Sequence, residues 1–310
     1  MRRIYIKGCI LTKKDGDVGM HKAILVFCTL YVAFFGQQAL AEFVKVRVID
    51  RGQADGLLIQ TPNNQWVVID AGTNGKQAVA MRDWGVDKVA LAVVSHRHFD
   101  HHGGMDEVIK SFPVERFIGV TQDCPGRSSD NTVRAALADN NVATLPLLTS
   151  LQTLSIDGVD FTIFPLPALQ DCPHHENNNS VVIRMEYGEF SMLFTGDAEG
   201  DEIQYLVDNF PAALDVDILK ASHHGSHNGY SDAFLRAVTP DKVIISAGVN
   251  GTYKHPHASS VTDYSNATDG QVYCTNRHGT LRVYGYQSGR HKVYKQFINN
   301  KSCAYDGTHY

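Results

Sequence analysis

No apolar run in this 310-residue sequence is long enough to cross a bilayer, and no two cysteines stand as Cys-x-x-Cys. No proline- or glycine-rich linker or block of like charge divides the chain after residue 41. The first absence argues against a spanning helix, which needs about 20 apolar residues. The second removes a cysteine-rich zinc module. The third leaves one α/β domain as the economical reading, although this length would also accommodate two average domains. Positive charge is scarce as well: 28 Lys and Arg against 33 Asp and Glu give a formal charge of −5. Such a chain as a whole has no long-range attraction for a polyanion.

What is there begins with a leader pattern. Met20-His21-Lys22 precedes an apolar stretch at 23–35 and then the small-residue triplet Ala39-Leu40-Ala41. A short basic start, a short apolar centre and an A-x-A site describe a secretory signal peptide; an uncleaved anchor or a buried helix is the alternative. The mixed polar residues 1–19 do not suit a leader, which puts the functional start at Met20. The expected division is therefore 1–41, extension and signal peptide, and 42–310, the working domain. Loss of 1–41 removes six basic and two acidic residues, leaving 22 and 31 and a formal charge of −9. The product is expected to be secreted or periplasmic, with no stable membrane association. Cys124, Cys172, Cys274 and Cys303 remain, and an oxidising compartment favours two disulfides over four free thiols. Cys124–Cys172 and Cys274–Cys303 are the expected pairs, because each lies within one stretch of chain.

Hydrophobic periodicity places strands at 43–49, 57–60, 66–69, 89–94, 117–120, 161–164, 181–185, 191–194, 216–219 and 243–245, with three more at 272–275, 280–284 and 292–297. Helical stretches fall at 131–139, 199–209 and 232–238.

The strand at 89–94 empties into Ser95-His96-Arg97-His98-Phe99-Asp100-His101-His102-Gly103-Gly104. In extended chain, residues two apart face the same way, so His96 and His98 can chelate one ion. Asp100 and His101, past the turn, can hold a second, and the glycines allow the backbone to turn tightly beneath. Two later strands end in the same manner, at Thr195-Gly196-Asp197 and at Lys220-Ala221-Ser222-His223-His224. Each places a carboxylate or imidazole beyond a strand's C-terminal end, where α/β sheets collect ligands.

This series resembles the metal ligands of the metallo-β-lactamase superfamily. Within it, the chain is similar to the hydrolase-like C-terminal domain of ComEC-type DNA-uptake channel proteins and their free-standing relatives. The similar stretches are Val48-Ile49-Asp50-Arg51-Gly52-Gln53-Ala54-Asp55, Val67-Val68-Ile69-Asp70-Ala71-Gly72, Leu219 through Ser226, His255-Pro256, and Val272-Tyr273-Cys274-Thr275 with Gly279-Thr280. The resemblance implies a single-domain, four-layer αββα sandwich with metals at one edge of the sheets. It assigns His96 and His98 to a first metal, Asp100 and His101 to a second, Asp197 to a bridge and His224 to the second site, with the choice between His223 and His224 open. A third ligand for the first metal falls to His175 or to no residue of that loop, whose Asn178, Asn179 and Ser180 are expected to hold the backbone. His98 replaces an Asp common in the relatives, and no channel portion is present, so transport is not implied.

Two cations would make hydroxide available from a shared water near neutral pH. Asp100 could orient it, His223 could supply a proton and His255 could reach the substrate from the opposite wall. Zinc suits so imidazole-rich a site, and manganese is the alternative. The implied activity is phosphodiester hydrolysis of a small or polymeric phosphoester, a nucleic acid or a phosphorylated envelope component, with nucleic acid as substrate only. Amide or lactone hydrolysis, including that of β-lactams, and a non-catalytic metal-containing binding protein are the rivals. Oligomeric state is not readable. The other histidines, His102, His227, His257, His278, His291 and His309, are expected to be exposed and without a role.

Overall fold

The computed structural model describes residues 43–120, 130–147, 149–167 and 175–309, and the short strands Ile4–Ile6 (β1) and Cys9–Leu11 (β2). Those two strands pair antiparallel in the unit formed by residues 1–40. The apolar stretch at 23–35, the Ala39-Leu40-Ala41 site, Cys124 and Cys172 lie outside the described residues. No helix among the described residues is long and apolar enough to cross a membrane.

From Phe43 the chain builds two mixed sheets. The first half contributes Phe43–Val48 (β3), Gly56–Gln60 (β4), Trp66–Ala71 (β5), Lys76–Asp83 (α1), Leu91–Val93 (β6), Phe99–His102 (α2), Met105–Ser111 (α3), Arg116–Ile118 (β7), Asp130–Asp139 (α4) and Ala143–Thr144 (β8). The second contributes Gln152–Ile156 (β9), Val159–Ile163 (β10), Ile183–Tyr187 (β11), Phe190–Phe194 (β12), Gly200–Asn209 (α5), Ile218–Lys220 (β13), Asp232–Val238 (α6), Lys242–Ile245 (β14), Ala258–Ala267 (α7) and Val272–Cys274 (β15). Thr275–His278 (α8), Leu281–Tyr286 (β16) and His291–Tyr294 (β17) return the chain to the first sheet. One sheet runs β17-β16-β3-β4-β5-β6-β7-β8 and the other β15-β14-β13-β12-β11-β10-β9.

Period-two alternation decides which side chains meet. Leu57 and Ile59 point between the sheets, where they meet Val44, Val46, Phe161, Met192 and Phe194. Leu58, between them, points outward with Val68 and Ala92 against Met81 of α1, Met105 and Val108 of α3 and Leu137 of α4. Across the molecule Leu193, Leu219 and Val243 pack under Leu206 of α5, Phe234 of α6 and Tyr264 of α7. The result is helices, sheet, sheet, helices. Burial of each such Leu or Phe contributes roughly 1.5–3 kcal/mol.

The chain differs from the sequence expectations in several respects. Helices α1, α3 and α7 form where no periodicity was read, because each needs an apolar stripe only on the side that faces its sheet. The expected terminal strands divide between the sheets, β15 joining β14 while β16 and β17 extend from β3. His102 and His278 are buried rather than exposed; the His278 ring bonds the Cys274 backbone within its own turn. The Cys274–Cys303 disulfide is formed, with an S–S distance of 2.08 Å.

Candidate metal centre

Two strands parallel in one sheet, β5 and β6, and three parallel in the other, β12, β13 and β14, lead into the loops that carry the site. Asp70 is the next-to-last residue of β5, His96 to His101 follow β6, Asp197 follows β12, His223 and His224 follow β13, and Ser246 follows β14. Asp55 enters from the turn before β4. This is where ligands gather in a sheet of this kind, since the strands hold the loops rigidly while the loops remain free to vary.

The ligand atoms converge in three overlapping groups: His96, His98 and Asp197; Asp100, His101 and His224; and Asp55, His101 and Asp197, the atoms of each lying within 4.8 Å of one another. Asp197 Oδ2 is the centre of the arrangement. It stands 3.2 Å from His101 Nε2, 3.6 Å from His224 Nε2 and 3.9 Å from both His96 Nε2 and His223 Nε2. His224 Nε2 is also 3.4 Å from Asp100 Oδ2, and His96 Nε2 is 2.9 Å from His98 Nδ1.

The opposite nitrogens of the His101 and His224 rings are already committed, and that fixes which atom faces inward. His101 Nδ1 lies 2.8 Å from Asp70 Oδ2, and Asp70 is itself held by the Ser95 N–H and hydroxyl, both at 2.7 Å. His224 Nδ1 donates to the Ser246 carbonyl at 2.9 Å, with Asp55 Oδ1 at 3.4 Å. Asp55 in turn meets the buried Lys220 ammonium at 2.7 Å. Such carboxylate or carbonyl partners orient metal-binding imidazoles and raise their basicity. His223 Nδ1 faces Glu199 Oε1 at 3.0 Å.

The backbone is bent to make this possible. His223 and His224 are consecutive residues with φ of 45° and 52°, and Asp70 has φ of 57°. Each non-glycine residue in this left-handed region costs about 1–2 kcal/mol. Gly196 also has positive φ, and a Cβ there would come within 2.8 Å of Ser180 Oγ and Ser95 Cβ. Gly104, expected to relieve a tight turn, is required for a different reason. A Cβ would lie 2.3 Å from the Asn74 carbonyl oxygen and 2.5 Å from that of Ala71.

Electrostatics show what the centre demands. Burial alone would raise the Asp197 pKa, but the His101, His224 and His223 charges hold it well below the carboxylate range. Burial would likewise lower His101, yet Asp197, Asp70 and Asp100 raise it well above its ordinary value. His224, against the same burial penalty, is pushed up to about 10, chiefly by Asp197. His96 goes the other way, lowered well below its usual value by burial and by the charge on His101. The metal-free centre thus keeps its carboxylates charged by holding protons on imidazoles. Even so, Asp197 Oδ1, His101 Nε2 and His224 Nε2 are buried and have no hydrogen-bond partner. Buried polar atoms left in this state are costly unless something else satisfies them. Inward-facing nitrogen and carboxylate oxygen donors fit divalent cations, which would displace the protons.

The expected ligands are therefore brought together, with one exception. His175 is exposed, stands at the start of the Glu176–Asn179 turn and belongs to none of the converging groups. Its neighbour Glu176 is buried, clamping Arg97 through the backbone N–H at 2.8 Å and the guanidinium at 2.7 Å. The loop is bonded as expected, with Asn178 Oδ1 accepting from the Glu199 N–H and Ser180 Oγ from the Asp197 N–H. Of the adjacent pair, His224 lies in the group with Asp100 and His101, while His223 is partly exposed and paired with Glu199. His255 is buried beside the adjacent pair, its ring centroid 5.0 Å from that of His223 and 6.4 Å from that of His224. The sequence reading assigned no role to Asp55, Asp70, Lys220, Glu176 or Glu199. For Asp55, Asp70 and Lys220 a signal existed, since all three lie in stretches that carry the resemblance.

Comparison with known proteins agrees with this geometry. The Lactamase_B model, for the metallo-beta-lactamase superfamily, matches residues 49–249. ComE operon protein 3 of Bacillus subtilis (strain 168) is 27% identical over 295 residues, covering 88% of this chain and 37% of its own. Competence protein ComA of Neisseria gonorrhoeae is 26% identical over 264 residues, covering 83% and 35%. The chain thus spans about a third of the length of these relatives. Among solved structures, CmlA, a diiron beta-hydroxylase from Streptomyces venezuelae, superposes with a TM-score of 0.52 at 13% identity, over 84% of this chain and 55% of that one. That likeness bears on the fold alone. With the family match, the two-sheet sandwich and the clustered ligands in agreement, this chain belongs to the metallo-beta-lactamase superfamily of metal-dependent hydrolases.

Proposed function

We propose that the protein is an exported phosphodiesterase that holds two zinc ions and acts on a nucleic acid or a phosphorylated envelope component. The observation that carries the binuclear reading is the place of Asp197 Oδ2, between the His96/His98 pair and the Asp100/His101/His224 group. His96 and His98 would hold a first ion and Asp100, His101 and His224 a second, with Asp197 placed to serve both. Bound cations would acidify a shared water and polarise the oxygen of the electrophile.

The remaining steps fall to the chain. Asp100, kept charged by His101 and by its contact with His224, orients the attacking water. His223 is the proton donor to the departing oxygen. Burial would lower its pKa, but Asp197 and the Glu199 carboxylate raise it above the ordinary imidazole value, which suits a proton donor. His255 is pushed down to about 3, first by burial and then by the charges on His223 and His224. It meets substrate as a neutral imidazole.

The phosphodiester class is supported by the competence proteins among the relatives, and export by the leader pattern at 20–41. Amide or lactone hydrolysis is the second reading; the His175 ligand that would have favoured it is exposed instead. Metal-loaded protein should turn over bis-p-nitrophenyl phosphate and single-stranded DNA but not nitrocefin. Turnover of nitrocefin alone would overturn the proposal. Two bound metals with no turnover of any of the three would favour a binding protein.

A further inference from the structure

At the β17-β16-β3 end of the larger sheet, the face turned away from the core is basic and aromatic. Val46 and Val283 point inward, so Lys45, Arg47, Arg282 and Tyr284 point outward. The register sets Arg282 opposite both Arg47 and Tyr294, and Tyr284 opposite both Lys45 and Lys292. Cations and rings therefore alternate over three strands, with Arg282, Lys292 and Tyr294 exposed. A groove of about 400 Å³ runs between Lys45, Arg47, Arg282 and Tyr284.

We propose that this face binds single-stranded nucleic acid, with phosphates on Lys45, Arg47, Arg282 and Lys292 and bases on Tyr284 and Tyr294. Four observations support it. Like charges gather here although the whole chain is acidic, at −5. No carboxylate forms an ion pair with any of the four cations among the described residues. Arg47 is 8% exposed, and its Nη1 has no hydrogen-bond partner, while Nη2 reaches only Gln60 Oε1 at 3.2 Å. The guanidinium lies against the Trp66 and Trp84 rings and lines the groove, where its charge favours an incoming anionic oxygen. The aromatic content then narrows the anion. A phosphorylated glycan offers charge without a planar ring, and a duplex hides the faces of its bases, whereas an unpaired strand offers both phosphates and rings for stacking.

The binding is independent of the metal centre and is tested without it. The full chain in chelator is titrated by fluorescence anisotropy with a labelled thymidylate strand of roughly 20 nucleotides, longer than a single binding module covers. Saturable binding at low salt is expected. Arg282→Glu combined with Lys292→Glu should weaken it at least about tenfold and reduce the salt slope by about 0.7 for each phosphate no longer neutralised. Tyr294→Ser should weaken it with the slope unchanged. Absence of binding at low salt, a double variant that binds like the wild type, or a phosphorylated glycan that competes as well as thymidylate would each overturn the proposal. Bis-p-nitrophenyl phosphate hydrolysis by the same variants after metal loading, expected to be unchanged, reports on the hydrolytic reading separately.

Discussion

Replacing Asp197 by Asn keeps the shape of the side chain and removes one charge from the middle of the site. If its Oδ2 lies against both ions, both must weaken together. A unit charge about 4 Å from another is worth about 4 kcal/mol at an effective dielectric of 20, and the amide dipole would recover part of that. A loss of roughly 2–3 kcal/mol at each site follows, or about 30- to 150-fold in affinity. One effect works against this. Asp197 is the leading charge that holds protons on His101 and His224, so its loss leaves fewer protons for a metal to displace. The offset is partial, because Asp100 and Asp55 still contact His224 and Asp70 still contacts His101. In the wild type that proton competition fades as pH rises toward the His224 value of about 10, so its metal affinity should climb with pH more steeply than the variant's. Calorimetric zinc titrations against a competing chelator at pH 7 and pH 9, with metal content by mass spectrometry, read both quantities. A variant that binds two zinc ions within threefold of wild type, or that loses only one of them, would refute the bridging position.

Other expectations follow from the same geometry. The raised His224 pKa stabilises the metal-free fold fully below its ordinary value of 6.5, and this contribution is lost as pH rises through about 10; thermal melts of metal-free protein should show Tm falling across that window, with metal-loaded protein lacking the trend. His223→Ala should retain both metals and lose about 10²–10⁴ in rate, the usual contribution of a general acid, while His175→Ala should leave metal content and rate unchanged. Cys303→Ser opens the disulfide to Cys274, 29 residues away, and should cost about 2–4 kcal/mol in denaturant melts. Amino-terminal sequencing of exported protein should begin at or near Glu42, and protein retained in the membrane with residue 20 intact would contradict the leader reading.

His96, His98, Asp100 and His101 were legible in the sequence because local spacing alone puts their donors within reach of one ion pair. Asp197 and His224 were legible less directly, each as a polar residue just past an apolar strand, and gained meaning from the order in which such strand ends recur. The strands themselves were marked by apolar runs that only a twice-covered sheet can bury. Tertiary structure decided the rest. Asp55 and Lys220 are 165 positions apart and form a buried pair at 2.7 Å, and no pattern in the chain links them. Asp70 reads in isolation as a turn residue at the end of a strand; it acquires a role only when β5 and β6 align in parallel and bring His101 against it. His175 stands apart for the converse reason, since its residue type and position suited a metal while the fold turns Glu176 inward onto Arg97 and leaves His175 exposed. Neighbouring residues can declare which atoms are able to bind a cation, because their separation is fixed by the backbone. Which distant side chains orient those atoms, keep them charged or stand apart from them depends on the register of two sheets, and that register is set by packing across the whole core.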